Sequence, residues 1–272
     1  MERLLIGPIK KSKEQIDFYI EYGAKVGLVI RDVIQILQSV RKFNTLDAND
    51  LFVDYSRYRI DWRVEFPFSD QIGPIGTKFP QSICVSVNDT VAHGFNNIAV
   101  DLDKDVVSLD FGIKWKGMNF DSAVTIGGNE EWIYAPLTAL KCIRDENPKN
   151  TQEVAYIINR EARNAELGQV LTVLGHGIGH ALHEYPMIHG APGRFHAAPL
   201  FNGLCFCPEP AYVKTDKFCL EDTYTDSDGW ALKTVSELPA SHFETTFCVI
   251  DNKLVDVIGI TNLQHHDGGK LE

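Results

Sequence analysis

Four acidic residues and one histidine are the candidates for metal chemistry in this 272-residue chain. Carboxylate oxygens and an imidazole nitrogen form a donor set that suits manganese, iron(II), cobalt or zinc. Five such donors can hold two divalent cations side by side, and a water molecule between two cations loses much of its proton affinity. In chain order the five residues are Asp110, Asp121, His176, Glu209 and Glu244.

The first two acids belong to a predicted β-hairpin. Alternating apolar residues over 106–115 indicate a half-buried strand, and a turn signal at 116–117 leads into a second extended run. With 116–117 at the centre of the loop, Asp110 and Asp121 share one face as diagonal neighbours, with Cα atoms roughly 7–8 Å apart. Two carboxylates there repel each other unless a cation lies between them, although solvated acids on an open sheet face are an equal alternative. The predicted pairs are Asp110 with Ala123 and Asp121 with Gly112.

A histidine-rich segment, residues 174–186, is the second element of the candidate site. It contains His176, His180 and His183 among several glycines. Neutral imidazole is a common metal ligand and a proton carrier near pH 7. A lone histidine is more often structural, whereas three within so short a segment favour metal or proton chemistry. Their spacing differs from the His-Glu-x-x-His pattern of zinc helices.

The remaining two acids are weaker signals when each is considered by itself. Glu209 lies between two prolines, and Glu244 alternates with apolar residues along a predicted strand, so that it points away from the apolar face. Either residue alone would be interpreted as a surface acid. Their significance depends on the other motifs.

Taken together, these motifs resemble the type I methionine aminopeptidases of the pita-bread metallopeptidase family. The similarity extends over nearly the whole chain, and all five ligand positions carry the residue types of the family. The segment 80–94 corresponds to the family's first signature, and the others carry the acids and histidines. The matching segments are 80–94, 108–111, 119–122, 175–179, 183–186, 209–210, 228–234 and 242–246.

This resemblance implies an α+β pita-bread fold, in which two similar halves form a central antiparallel sheet flanked by helices. We expect one catalytic domain over 1–272, with an N-terminal helical segment, 12–42, packed on the sheet. A capping box at 12–15 predicts the start of that helix, and a second helix is expected from Asn150. Residues 271–272 are a candidate cloning scar. The apolar stripe predicted for the first helix is Ile16, Tyr19, Ile20, Ile30, Val33, Ile34 and Leu37.

The resemblance also implies how the ligands divide between two divalent ions. Asp110 and Asp121 would hold one ion, and His176 and Glu209 would hold the other. Glu244 would bridge both. The identity of the metal stays open between cobalt, manganese, iron(II) and zinc.

Catalytic and substrate-binding roles follow from the same resemblance. Glu209 would accept the proton of the attacking water, His183 would stabilise the developing oxyanion, and His93 would contact the nitrogen side of the peptide bond. Leu182 stands where relatives often have an aromatic residue. The candidate residues of the methionine pocket are Phe79, Cys84, Leu182 and Trp230, and His93 and His183 also face the substrate.

The implied activity is removal of the initiator methionine from nascent chains with a small second residue. One alternative is a proline-directed exopeptidase on the same fold, and another is a binding protein that has lost its metal. The interval of 33 residues from His176 to Glu209 favours the type I methionine aminopeptidases, and the complete ligand set argues against a non-catalytic homologue.

Composition and charge limit the classes of partner that this chain can have. The net charge of −11 argues against nucleic acid or an anionic membrane as the main partner. No apolar run approaches the ~20 residues that span a bilayer. The first residues lack a signal-peptide core, and six scattered cysteines suggest free thiols in a reducing compartment. We therefore expect a cytoplasmic monomer whose partners are the N-termini of nascent polypeptides, with the ribosome as a candidate docking partner.

Overall fold

The computed structural model describes residues 8–266 and 270–272. Residues 1–7, on which the expectation of a missing signal peptide rests, lie outside these ranges. The α-helices are α1 (Lys13–Val40), α2 (Thr45–Arg59), α3 (Ala135–Glu146) and α4 (Thr151–Asn164). Short 3-10 helices cover Pro67–Asp70, Glu131–Tyr134 and Ile260–Asn262. The strands are β1 (Lys42–Asn44), β2 (Ile83–Val87), β3 (Thr90–Ala92), β4 (Ala99–Asp101), β5 (Val106–Trp115), β6 (Met118–Gly127), β7 (Gly168–Val170), β8 (Gly175–Gly177), β9 (Glu184–Ile188), β10 (Cys205–Cys207), β11 (Ala211–Val213), β12 (Cys219–Glu221), β13 (Thr223–Thr225), β14 (Leu232–Thr234), β15 (Ala240–His242), β16 (Phe247–Ile250), β17 (Lys253–Asp256), β18 (His265–His266) and β19 (Lys270–Leu271).

Helix α1 begins at the predicted capping box. The Ser12 side chain accepts a hydrogen bond from the Gln15 backbone, and the Gln15 side chain accepts one from the Ser12 backbone. The predicted stripe is buried, with one exception: Ile20 is 46% exposed. The buried face continues instead through Gly23 and Gly27, and Ile20 lies at the border of this face, where its side chain is open to solvent. Including Ile20 in the stripe was therefore wrong.

Two further helices were not expected from the sequence. Helix α3 begins without a side-chain cap, which removes the usual start signal. Helix α2 has an Asn44 cap, but few of its residues are buried, so its apolar periodicity is weak. Helix α4 begins after Asn150 as predicted, and the Asn150 side chain accepts hydrogen bonds from the next backbone amides of the first turn.

Small, mostly antiparallel sheets position the functional residues. The β2–β5–β6 sheet carries the two aspartates, and a five-stranded sheet in the order β17–β16–β10–β8–β9 carries the histidine segment. Backbone hydrogen bonds in both directions between Ala123 and Glu244, at 3.0 and 3.2 Å, join the two regions. A four-stranded sheet, β12–β7–β11–β15, adds a parallel β7–β12 pair. This arrangement confirms the expected α+β class.

One hydrophobic cluster runs through most of the described chain, from Ile16 on α1 to Leu271 on β19. Leu271 is 1% exposed and lies opposite His265 across the β18–β19 pair, so residue 271, a candidate cloning scar, packs as part of the core. All six cysteines are free thiols, as expected. None of the helices in the described ranges combines the length and apolar character that crossing a bilayer demands.

Candidate metal centre and substrate cavity

The β5–β6 hairpin places Asp110 and Asp121 on one face in the predicted register. Asp110 lies opposite Ala123, and Asp121 lies opposite Gly112. Asp121 is only 3% exposed, and Oδ1 of Asp110 is buried with no hydrogen-bond partner among the described residues. Buried polar atoms are normally paired. The alternative of solvated acids on an open sheet face is therefore excluded, and the hairpin presents an unpaired carboxyl oxygen to the interior.

His176 points one ring nitrogen at three of the acids. Its Nδ1 lies 3.0 Å from the Gly177 carbonyl, which can only accept, so Nδ1 carries the proton and Nε2 keeps its lone pair. Nε2 lies 3.2 Å from Glu209, 3.7 Å from Glu244 and 3.8 Å from Asp121. A backbone partner that fixes the tautomer in this way is typical of a metal-binding histidine.

Glu209 and Glu244 enter the site from the ends of strands. Glu209 lies shortly after β10. Glu244 lies shortly after β15, and every residue of its segment, 240–249, is buried. The alternative of two surface acids is therefore excluded, since their side chains are 13% and 2% exposed. The expected alternation around Glu244 does not separate a solvent-exposed face from a buried face, because protein covers both sides of this segment.

Burial perturbs every ionisable group of the site. Desolvation, as the largest cause, raises the pKa of Glu209 to about 8, and it raises those of Asp110, Asp121 and Glu244 well above the ordinary range. Repulsion between neighbouring acids adds to the shift for these last three. Desolvation also lowers the pKa of His176 to about 4. The four acids therefore cannot all ionise without added positive charge.

Divalent cations fit this donor set. The ligand atoms of Asp121, His176 and Glu244 lie within 4.8 Å of one another, as do those of Glu209, His242 and Glu244. Glu244 belongs to both groups, and its Oε1 is buried without a hydrogen-bond partner in the described part of the chain. No lysine or arginine in that part forms a salt bridge with these acids, so a metal is the fitting source of positive charge.

The predicted ligands and the predicted substrate residues line one cavity of about 140 Å³. Its apolar wall includes an edge-to-face aromatic pair, Phe79 and Trp230, with ring centroids 5.2 Å apart. Phe68, Gln71 and Ile72 also line the cavity and were not predicted from the sequence. The predicted residues that meet in it are Phe79, Cys84, His93, Asp110, Asp121, His176, Leu182, His183, Glu209, Trp230 and Glu244.

A larger groove of about 510 Å³ opens beside this inner cavity. His93, His183 and Glu209 line both spaces, so they lie at the junction between them. The His183 ring meets the His176 ring edge-on at 4.5 Å. His93 and His183 are exposed where they line these two spaces, and desolvation by the surrounding protein lowers both pKa values. Both imidazoles are therefore neutral near pH 7.

His242 is a member of the site that the sequence interpretation missed. It is 1% exposed, its Nε2 lies 3.7 Å from Oε2 of Glu209, and neither ring nitrogen has a hydrogen-bond partner within the described ranges. Desolvation lowers its pKa to about 3. A signal existed, because His242 and Glu244 are two residues apart in an extended segment and therefore share a face.

Comparison with known proteins places the site in a family. The sequence model of metallopeptidase family M24 matches residues 24–250. A methionine aminopeptidase from Clostridium perfringens is 33% identical over 189 residues, which cover 64% of this chain and 72% of that protein. Methionine aminopeptidase 1 from Bacillus subtilis is 30% identical over 189 residues, with 64% and 71% covered.

Solved structures share the fold. Methionine aminopeptidase from Rickettsia prowazekii superposes with a TM-score of 0.79 at 21% identity, covering 93% of this chain and all of that one. An X-Pro aminopeptidase from Thermotoga maritima reaches 0.63 at 16% identity, covering 92% and 62%. The fold is thus the pita-bread fold of these enzymes. With a family match over most of its length and relatives at 30% identity or more, this chain belongs to metallopeptidase family M24, among its methionine aminopeptidases.

Proposed function

We infer that this chain is a metal-dependent aminopeptidase that removes the N-terminal methionine from new polypeptides whose second residue is small. The observation that carries this proposal is a single cavity in which four buried acids and His176 meet an apolar, aromatic wall. Acids and imidazole supply the hydrolytic side of the site. The wall supplies a place for one apolar side chain, and membership of the methionine aminopeptidases indicates which one.

We propose that two divalent ions bind here. Asp110 and Asp121 would hold one, His176 and Glu209 the other, and Glu244 would bridge them. When bound, such ions polarise a peptide carbonyl group and lower the pKa of an attacking water molecule. The unpaired oxygens of Asp110 and Glu244 support metal binding here, because each is buried and without a hydrogen-bond partner among the described residues.

Three of the residues at the junction of cavity and groove would handle protons and the scissile bond. Glu209 is the only one of the four acids that lines both spaces, so it is best placed to accept the proton of the attacking water. Neutral His183 would donate its N–H to the carbonyl oxygen as negative charge develops. His93, whose ring lies 6.3 Å from that of Trp230, would contact the peptide nitrogen.

The inner wall would select methionine at the first position. Aromatic rings and a thiol form a soft surface, which suits a flexible thioether side chain. The second residue of the substrate would lie at the junction, between His93 and His183, and we propose that these residues leave room for only a small side chain. The wall residues are Phe68, Phe79, Cys84, Leu182 and Trp230.

A tripeptide panel tests this function. Chelator-stripped enzyme is reloaded with manganese or cobalt and offered Met-Ala-Ser, Met-Leu-Ser and Ala-Pro-Ser. We expect methionine release from the first peptide, little from the second and no cleavage of the third. Preferred cleavage of the Xaa-Pro peptide, or indifference to the size of the second residue, would contradict the proposal.

The cellular setting is part of the same proposal. The continuous hydrophobic cluster supports one catalytic domain, which we propose acts as a monomer in the cytoplasm. Its substrates would be the N-termini of nascent chains, and the ribosome would be the place where it meets them. Cosedimentation of the purified chain with ribosomes at low and physiological salt tests the last point.

A further inference from the structure

A buried ion pair outside the metal centre ties the N-terminal segment to the histidine segment. Nζ of Lys11 lies 2.6 Å from Oε2 of Glu184, and each side chain is 1% exposed. Lys11 immediately precedes Ser12, the cap of α1, and Glu184 immediately follows His183. Glu184 is therefore the sequence neighbour of His183, the residue that we propose acts at the scissile bond.

Glu184 also holds the loop that contains His183. Its second oxygen, Oε1, accepts a hydrogen bond from the Ala181 backbone at 3.2 Å, so one carboxylate spans the loop from 181 to 184. The loop packs tightly on the pair: a side chain at Gly179 would come within 2.6 Å of both partners. Leu182 and His183, the two cavity residues of this loop, lie between the two ends that Glu184 connects.

Lys11 is also hydrogen-bonded to the segment that precedes β10. Its backbone N–H donates to the Gly203 carbonyl at 2.7 Å, and its Nζ also donates to the Ile9 carbonyl at 3.3 Å. Gly203 lies shortly before β10, the strand that leads to Glu209. The Lys11 segment therefore connects the chain on the Glu209 side with the chain on the His183 side.

Stability alone is a weak explanation for such a pair. Desolvation of two charges costs so much that apolar residues of similar volume are often as stable or more so. We propose that Lys11 and Glu184 are positioning residues, which fix the 178–183 loop so that His183 and Leu182 face the metal cavity. The role assigned to His183 rests on the proposed function, whereas the effect on the loop does not.

Two charge-free double variants test the proposal. Lys11→Met/Glu184→Met removes the pair and the acceptor for the Ala181 N–H, while Lys11→Met/Glu184→Gln removes the charges but keeps a carbonyl acceptor. Both avoid an unpaired buried charge and should fold. We expect the Met/Met variant to lose about 10²-fold in kcat, as a displacement of about 1 Å can cost, with KM and metal content little changed. The Met/Gln variant should recover most of that loss.

A matched control and a substrate-free readout complete the test. Lys13 forms an exposed pair with Asp17 at 3.0 Å in the same part of the chain, and Lys13→Met should change nothing. Hydrogen exchange over 178–184, read by mass spectrometry, should be faster in the Met/Met variant than in the Met/Gln variant and the unaltered chain. Hydrogen exchange can be read even if the unaltered chain releases no methionine. That result would refute the proposed function but not the proposed role of Lys11 and Glu184 in holding the loop. Equal exchange and equal kcat in the two double variants would overturn the proposal.

Discussion

Removing the metal should make the stability of this protein fall steeply as the pH rises. The reason is the set of buried acids, whose pKa values are raised because burial disfavours their charged forms. Without a cation, the folded chain must either keep these protons or hold uncompensated charge. With metal bound, the acids are ionised ligands and this cost disappears.

The size of the effect can be worked out for Glu209, whose pKa rises from 4.5 to about 8. Its folded-state pKa is raised, so its contribution to stability is complete below pH 4.5 and is lost as the pH rises through 8. The 3.5-unit difference corresponds to about 5 kcal/mol in total. His176 and His242 have the opposite sign, since their pKa values are lowered from 6.5 and they cost stability only below that pH. Between pH 6.5 and 8 the acids therefore determine how stability depends on pH. Over this range the titration of Glu209 alone should lower the free energy of unfolding by about 2 kcal/mol.

Urea unfolding of stripped and metal-loaded protein between pH 6.5 and 8 measures this difference. From pH 6.5 to 8 the free energy of unfolding of the stripped protein should fall by about 2 kcal/mol or more. That of the metal-loaded protein should fall far less. Stripped Glu209→Gln should have a flatter profile, whereas Glu237→Gln, at an exposed position, should behave like the unaltered chain. Stability of the stripped protein that stays level or rises over this range would refute the reasoning.

Three substitutions test individual roles. Glu209→Gln should keep the fold and lose about 10²–10⁴-fold in turnover, as expected for a lost proton acceptor; near-normal turnover of metal-loaded variant would remove Glu209 from that role. His183→Ala should lower kcat about 10²–10³-fold without changing the metal content, as measured by steady-state kinetics and metal analysis. If the variant instead loses metal and regains its kcat when metal is added back, His183 is a ligand. Leu182→Phe should sharpen the preference for methionine over norleucine and leucine by about 1–3 kcal/mol at most, and an unchanged ratio in a first-position peptide panel would exclude Leu182 from the wall.

Local sequence rules predicted the part of the site that rests on strand pairing. The alternation around Asp110, with a turn signal at 116–117, was sufficient for the full hairpin register. The capping box at Ser12 and the N-cap residue Asn150 likewise indicated the starts of α1 and α4. Each of these features depends on contacts between residues close in sequence, where propensity and periodicity carry most of the information.

Features that depend on distant contacts could not be predicted in the same way. Neither Glu209 nor Glu244 has a local pattern that distinguishes it from a surface acid, and only the family resemblance brought them into the site. The face that His242 shares with Glu244 was a local signal, but its contact with Glu209 joins residues 33 apart in sequence, which no local pattern predicts. Lys11 and Glu184 are 173 residues apart, so no periodicity connects them.

The most direct test of the account is methionine release measured while bound metal is counted. Chelator-stripped protein is titrated with manganese or cobalt, and turnover of Met-Ala-Ser is recorded against the number of ions bound per chain. If the metal centre is catalytic, turnover should be absent at zero metal and complete at no more than two ions. Methionine release by fully stripped protein would contradict it.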